Sequence, residues 1–273
     1  MPAVTNLQLI LISALQGLTE FLPVSSSGHL ILFSKFTSFP DQGPEIDVAV
    51  HVGSIIAVTI YFWRDIWNII KGLWQSRFLP NFNISGAKLA WLILIATIPA
   101  VIVGLSLKAY GLENLRSAKL IGWTISCYAV LLYLADKYGK TTRTTDSLTI
   151  KDALIIGCAQ CLALIPGTSR SGITITASRF LGLQRREAAK FSMLLSIPTI
   201  AGAGLLMACS LWQTGDISNI SDACHSVMYS FIASLGAIYL MMMWLKKWTF
   251  TPFVIYRLLL GGYLLLNAYG YIN

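Results

Sequence analysis

An all-α integral membrane fold, with six full transmembrane helices plus two re-entrant helical hairpins in an inverted-topology repeat, is predicted by three features of the chain. The composition is the first: 55% of the 273 residues are hydrophobic and only 12% are charged, against about 25% charged in a soluble domain. The second is a set of six apolar runs, roughly 46–63, 89–108, 118–135, 190–212, 225–245 and 253–271. Each approaches or exceeds the roughly 20 residues that a span requires. The third is a pair of broken segments, 4–39 and 151–182, in which an apolar stretch meets a Pro/Ser/Gly-rich break and a second arm. Those second arms, 29–39 and 173–182, are too short to cross about 30 Å at about 1.5 Å per residue.

Taken in order, the first broken segment opens without a positive charge between Met1 and Gln8. It lacks the basic start of a signal peptide and reads as part of the mature protein. Irregular backbone at membrane depth is tolerated only where protein or a watery cavity surrounds it, so each tip is expected to face a cavity. The two tips match at an offset of 144 residues: Gln16 with Gln160, Leu18 with Leu162, Ser25 with Ser169, and Ser27-Gly28 with Ser171-Gly172, while Pro23 and Pro166 fall one position out of step. Three spans follow each tip, so the second hairpin must enter from the opposite side. The expectation is one polytopic domain, 1–273, built from repeats 1–136 and 150–273, with a shared site where the halves meet.

The formal net charge of +8 points to nucleic acid in a soluble protein, but here the cations sit in breaks between apolar runs. Fourteen Lys and Arg residues, from Arg64 to Lys247, fall on one side of the threaded chain, and four (Lys35, Lys108, Arg116, Lys119) on the other. The positive-inside bias makes the richer side cytoplasmic and leaves both termini outside. The five cysteines include a CxxC at Cys158 and Cys161, but no second CxxC completes a zinc site, and small buried helix residues are the expected reading.

Ionisable groups inside apolar segments are costly and mark candidate functional residues. Here they are Glu20, His29 and Arg170 in the tips, with His51, Asp47 and Arg257 in flanking spans. Gln16 and Glu20, spaced i, i+4, share a helix face and offer hard oxygens suited to Mg²⁺ or Ca²⁺. Ser26 lies three residues before His29, so an imidazole base is expected to activate a serine nucleophile. Ser25 and Ser27 are expected to cap the next helix or to contact substrate. In the second tip Arg170 brings a planar fork for phosphate oxygens. Ser169, Ser171, Gly172 and Thr174 surround it with hydroxyls and free amides that favour an anion. The competing structural reading pairs Arg170 with Glu20. His51 is expected to be a satisfied helix histidine and Arg257 an interface anchor near a helix end.

Both tips resemble those of the bacterial undecaprenyl-diphosphate phosphatase family of the bacitracin-resistance type. Gln16 and Glu20 meet its Glu/Gln-x-x-x-Glu pattern, His29 its first-motif histidine, and Pro166 to Thr174 its PGxSRSxxT pattern. The runs AVHVGSIIAV, FSMLLSIP and TPFVIYR extend the likeness over essentially the whole chain. The resemblance implies hydrolysis of undecaprenyl diphosphate to the monophosphate in the bacterial inner membrane, recycling the carrier lipid of peptidoglycan synthesis. It further implies a divalent cation and a pocket open to the outer face. Gln16 in place of Glu removes one negative charge from the metal site. Partners expected are the polyprenyl diphosphate and membrane lipids, not nucleic acid; monomer or homodimer is left open. The rival class is a lipid-phosphate transporter or flippase, which uses inverted repeats but needs no hydroxyl beside a base.

Overall fold

The computed structural model describes residues 5–37, 43–110, 117–214 and 220–272. Eleven α-helices and two short 3₁₀ turns make up the described chain, with no strand among these residues. Six helices are long and apolar enough to cross a membrane: α3 (Gly43–Tyr61), α5 (Ser85–Tyr110), α6 (Ala118–Tyr138), α9 (Arg185–Thr214), α10 (Ile220–Trp244) and α11 (Thr251–Ala268). All six coincide with the expected runs to within a few residues. Their outward faces carry Leu94, Ile98, Ile102, Leu240 and Leu259, as a hydrocarbon solvent demands.

Each broken segment is a pair of helices. The first is α1 (Asn6–Phe21) and α2 (Ser26–Phe36); the second is α7 (Ile150–Cys161) and α8 (Arg170–Phe180). Local chemistry sets their starts. Thr5 caps α1 by accepting from the Gln8 amide, and Thr149 with Asp152 forms a reciprocal capping box on α7, each satisfying otherwise orphaned N–H groups. The C-terminal part of the second expected arm, 38–39, lies outside the described residues.

The first helix of each pair packs against a span from the other half of the chain, α1 on α10 and α7 on α5. Glycine makes the approach close. A Cβ on Gly17 would lie 2.7 Å from the Ser230 carbonyl oxygen of α10, and one on Gly157 would lie 2.5 Å from Ala96 O of α5. α3 packs on α9 and α10, α6 on α11, and α8 on α6, α7 and α9. The main core, including Phe21, Leu92, Leu132, Ile156, Phe191, Leu194 and Phe250, therefore joins both halves.

Three features differ from the sequence reading. The cysteines, expected to be buried, are not: Cys127, Cys158, Cys209 and Cys224 are exposed and Cys161 is half-buried. The stretch after α3, expected to be a loop, holds the helix α4 (Trp63–Gln75). It exposes Trp63, Trp67, Ile70 and Trp74 and packs against α5. Arg179, counted above among loop cations, is fully buried. It donates to the carbonyls of Asp136, Gly139 and Lys140, where α6 ends, and to the Asp136 carboxylate at 3.2 Å. Asp136 also accepts from Arg185 at 2.7 Å and from the Phe250 amide at 3.0 Å, so one carboxylate ties together α6, α8, α9 and the start of α11.

Candidate active site

The two breaks have the same backbone device. Ser25 (φ 80°) and Ser169 (φ 72°) adopt left-handed φ values, and each caps the helix that follows it. Ser25 Oγ accepts from the Gly28 amide at 3.3 Å, and Ser169 Oγ from the Gly172 amide at 3.1 Å. A positive φ is costly for a residue with a side chain and persists only where its surroundings over-determine it. Its recurrence at both members of a pair matched by sequence ties the two tips to one local plan.

The tips touch each other. Ser171 Oγ donates to the Leu22 carbonyl at 2.9 Å, and Arg170 Nη2 donates to Glu20 Oε1 at 2.9 Å. The other Glu20 oxygen, Oε2, accepts from Ser26 Oγ at 2.7 Å and from Gln16 Nε2 at 2.8 Å. Ser26 and Arg170 are the first residues of α2 and α8, so equivalent positions of the two tips hold opposite oxygens of one buried carboxylate. Arg170 is steadied from behind by the Ser192 carbonyl, 3.0 Å from Nη1.

The expected hydrogen bond between Ser26 and His29 is absent. His29 Nδ1 lies 2.7 Å from the Ser25 carbonyl oxygen and Nε2 lies 2.5 Å from the Tyr256 hydroxyl. A carbonyl only accepts, so Nδ1 carries a proton, and in the neutral ring Nε2 then accepts from the Tyr256 hydroxyl. The rings of His29 and Tyr256 stack at 5.6 Å between centroids. The group placed to take the Ser26 proton is thus Glu20. His51 donates from Nδ1 to the Asp47 carbonyl at 2.6 Å.

Of the other candidates, Ser169 and Ser171 share a 3.2 Å hydroxyl contact beside Arg170. Thr174 turns away, donating to the Arg170 carbonyl and meeting Ser192 Oγ at 2.7 Å. Ser27 is exposed. Gln16 Oε1 is buried and has no hydrogen-bond partner. An orphaned hard oxygen beside a carboxylate is the kind of donor a divalent cation takes. Among the described residues no three His, Cys, Asp or Glu side chains cluster. The donors present are Glu20 and the Gln16 oxygen, hard ligands of the kind that Mg²⁺ supplements with water and substrate phosphate.

Arg257 is not an interface anchor. It is fully buried and donates to the carbonyls of Ile125, Pro23, Gly167 and Thr168 at 3.0–3.2 Å. Its fork bridges the two tips to α6. No carboxylate pairs with it among the described residues, so it leaves positive potential between the tips, suited to an anion. Sequence reasoning missed this role and that of Tyr256. The available signal was an arginine inside an apolar span, which marks function by default.

Comparisons with known proteins give the chain a family. Residues 9–263 match the family described as Bacitracin resistance protein BacA. A protein of Roseobacter denitrificans named undecaprenyl-diphosphatase is 50% identical over 268 residues, 97% of this chain and 100% of its own length. Proteins of the same name from a Jannaschia species and from Hahella chejuensis are 49% and 48% identical over 264 and 265 residues, covering 96% and 97% of this chain and 98% and 99% of their own. With both motifs inside the matched region, the chain belongs to the bacitracin resistance protein BacA family.

Proposed function

We infer that the chain hydrolyses undecaprenyl diphosphate, or a close polyprenyl analogue, to the monophosphate and phosphate, returning carrier lipid to cell-wall synthesis. One observation carries the mechanism: Glu20 is gripped at once by Ser26 and Arg170 from opposite tips. The lipid tail lies between spans and the diphosphate enters the space between the tips. Arg170 and the amides around Ser169 to Gly172 take up its terminal phosphate, while the buried charge of Arg257 favours its entry. Ser26 Oγ attacks the terminal phosphorus as its proton passes to Glu20 Oε2. The P–O bond to the bridging oxygen breaks, undecaprenyl monophosphate leaves, and water hydrolyses the phosphoserine to free phosphate. His29 positions this machinery by tying the strained Ser25 backbone to Tyr256 on α11. Glu20 and Gln16 would hold a divalent cation, Mg²⁺ or Ca²⁺, which neutralises phosphate charge when bound. Electrostatic positioning of this kind supplies most of the catalysis in phosphoryl transfer.

The membrane arrangement follows the same plan. α2 and α8 have 11 residues each, about 16 Å at about 1.5 Å per residue, half of a hydrocarbon core. Both helix pairs are therefore proposed to re-enter. Exchanging the halves 1–136 and 150–273 maps the α1–α10 packing onto α7–α5, and maps α3–α9 and α6–α11 onto themselves. That supports an inverted repeat in one domain. The bias of Lys and Arg, still thirteen to four with the buried Arg179 set aside, supports termini outside and a site open to the outer face of the bacterial inner membrane.

Phosphate release by detergent-purified protein, with and without EDTA, tests the reaction. Wild type releases phosphate and EDTA suppresses it. Ser26→Ala is expected to lose about 10³-fold in kcat or more, and acid quench is expected to trap phosphorylated Ser26 in the wild type. A nearly fully active Ser26→Ala replaces the phosphoserine route with direct attack by water. No release from any prenyl diphosphate sinks the enzyme and favours a transporter.

Tyr256→Phe removes the donor to His29 Nε2 and leaves the stacked ring in place. We expect a fall in kcat of about tenfold, the scale of one lost hydrogen bond, with KM nearly unchanged. Wild-type kcat in this variant refutes the positioning role.

A further inference from the structure

Outside the catalytic site, a concavity of about 440 Å³ opens where α3 gives way to α4 and α9 begins. Tyr61, Trp63 and Arg64 line it from one side, Arg186 and Lys190 from the other. The two carboxylates in its wall are already engaged. Asp65 pairs with Lys190 at 2.5 Å, and Glu187 accepts from the amide and hydroxyl of Thr145 at 3.0 and 2.7 Å. Arg64 and Arg186 are both exposed, and neither has a carboxylate partner among the described residues. The Arg64 guanidinium lies 5.3 Å above the Trp63 ring.

The depth of this concavity is set by α4. Trp63, Trp67 and Trp74 are 58%, 61% and 75% exposed and share one face of a helix that also carries Arg64, Asp65 and Lys71. Such a helix settles at the boundary between headgroups and acyl chains. The concavity therefore opens at headgroup level, with two guanidinium forks beside an aromatic wall. Planar forks match phosphate oxygens in pairs, and the tryptophan face suits the apolar remainder of the same molecule.

We propose that this concavity binds the phosphate of an anionic membrane phospholipid, gripped by Arg64 and Arg186, with its acyl chains along the tryptophan face of α4. The site is independent of the catalytic reading, because none of its residues belongs to the tips. Free phosphate would satisfy the guanidinium groups but has no use for the aromatic wall.

Native mass spectrometry of the detergent-purified full chain, titrated with phosphatidylglycerol or phosphatidylcholine, tests it, with inorganic phosphate as competitor. The wild type is expected to retain phosphatidylglycerol over phosphatidylcholine. Combined Arg64→Gln and Arg186→Gln is expected to weaken that binding roughly tenfold or more, while Lys246→Gln with Lys247→Gln, another exposed basic pair, leaves it unchanged. Thermal unfolding and phosphate release in detergent report whether the variants fold, and each single arginine variant is expected to show an intermediate loss. Equal retention of the two lipids, or equal loss in both double variants, overturns the site. Displacement of the lipid by millimolar inorganic phosphate overturns the lipid reading in favour of an anion site.

Discussion

Glu20→Gln is expected to lower kcat for phosphate release by about 10³-fold or more. The substitution keeps the shape of the side chain and changes what it can accept. In the wild type, Glu20 takes one bond from Arg170 and two from Ser26 and Gln16. An amide presents only one acceptor oxygen, so at least one donor is set against an N–H group, and the Ser26 proton loses its carboxylate destination. General-base assistance is worth about 10²–10⁴, and the electrostatic hold on the phosphate site weakens with it. Stability falls as well, because Arg170 keeps the Ser192 carbonyl but loses its counter-ion; breaking such a pair costs about 3 kcal/mol. A double-mutant cycle with Arg170→Gln should give a coupling of about 1–3 kcal/mol. An activity within threefold of wild type would remove Glu20 from the reaction.

The spans were legible because the signal is additive: α3 or α10 needs only sustained apolarity, and no single residue decides it. The breaks were legible because Pro23 and Pro166 sit with glycine and serine inside otherwise apolar stretches. α4 was hidden because Arg64, Asp65 and Lys71 interrupt its hydropathy, and an amphipathic helix of 13 residues averages out to a loop. The placement of Glu20 opposite Arg170 was legible as a pairing across the repeat. The partner of Ser26 was not. Spacing suggested His29, three residues on, but that ring bonds the Ser25 carbonyl and a tyrosine 227 residues away. Local spacing reports which groups share a turn; which of them a distant helix claims is a tertiary fact. Arg257 illustrates the same limit, since its partners are main-chain carbonyls freed by broken helices, and carbonyls leave no mark in a sequence.

Arg257→Ala is expected to be the most damaging substitution to folding, because it removes the donors that four buried carbonyls share. An unsatisfied buried polar group costs about 1–3 kcal/mol, so the loss reaches about 4 kcal/mol or more even if one acceptor finds water. The informative companion is Arg257→Lys, which keeps the charge but replaces a planar fork with a point donor. Lysine cannot hold Pro23 in the first tip and Gly167 with Thr168 in the second at the same time. The expected result is a folded protein with a lowered unfolding midpoint in detergent and a kcat reduced by about 10²-fold, since displacements of about 1 Å at a reacting centre have costs of that size. KM should change less, because the positive charge that favours the diphosphate remains. A lysine variant with wild-type kcat would mean that charge alone matters at this position, and that the tips keep their register without the guanidinium fork.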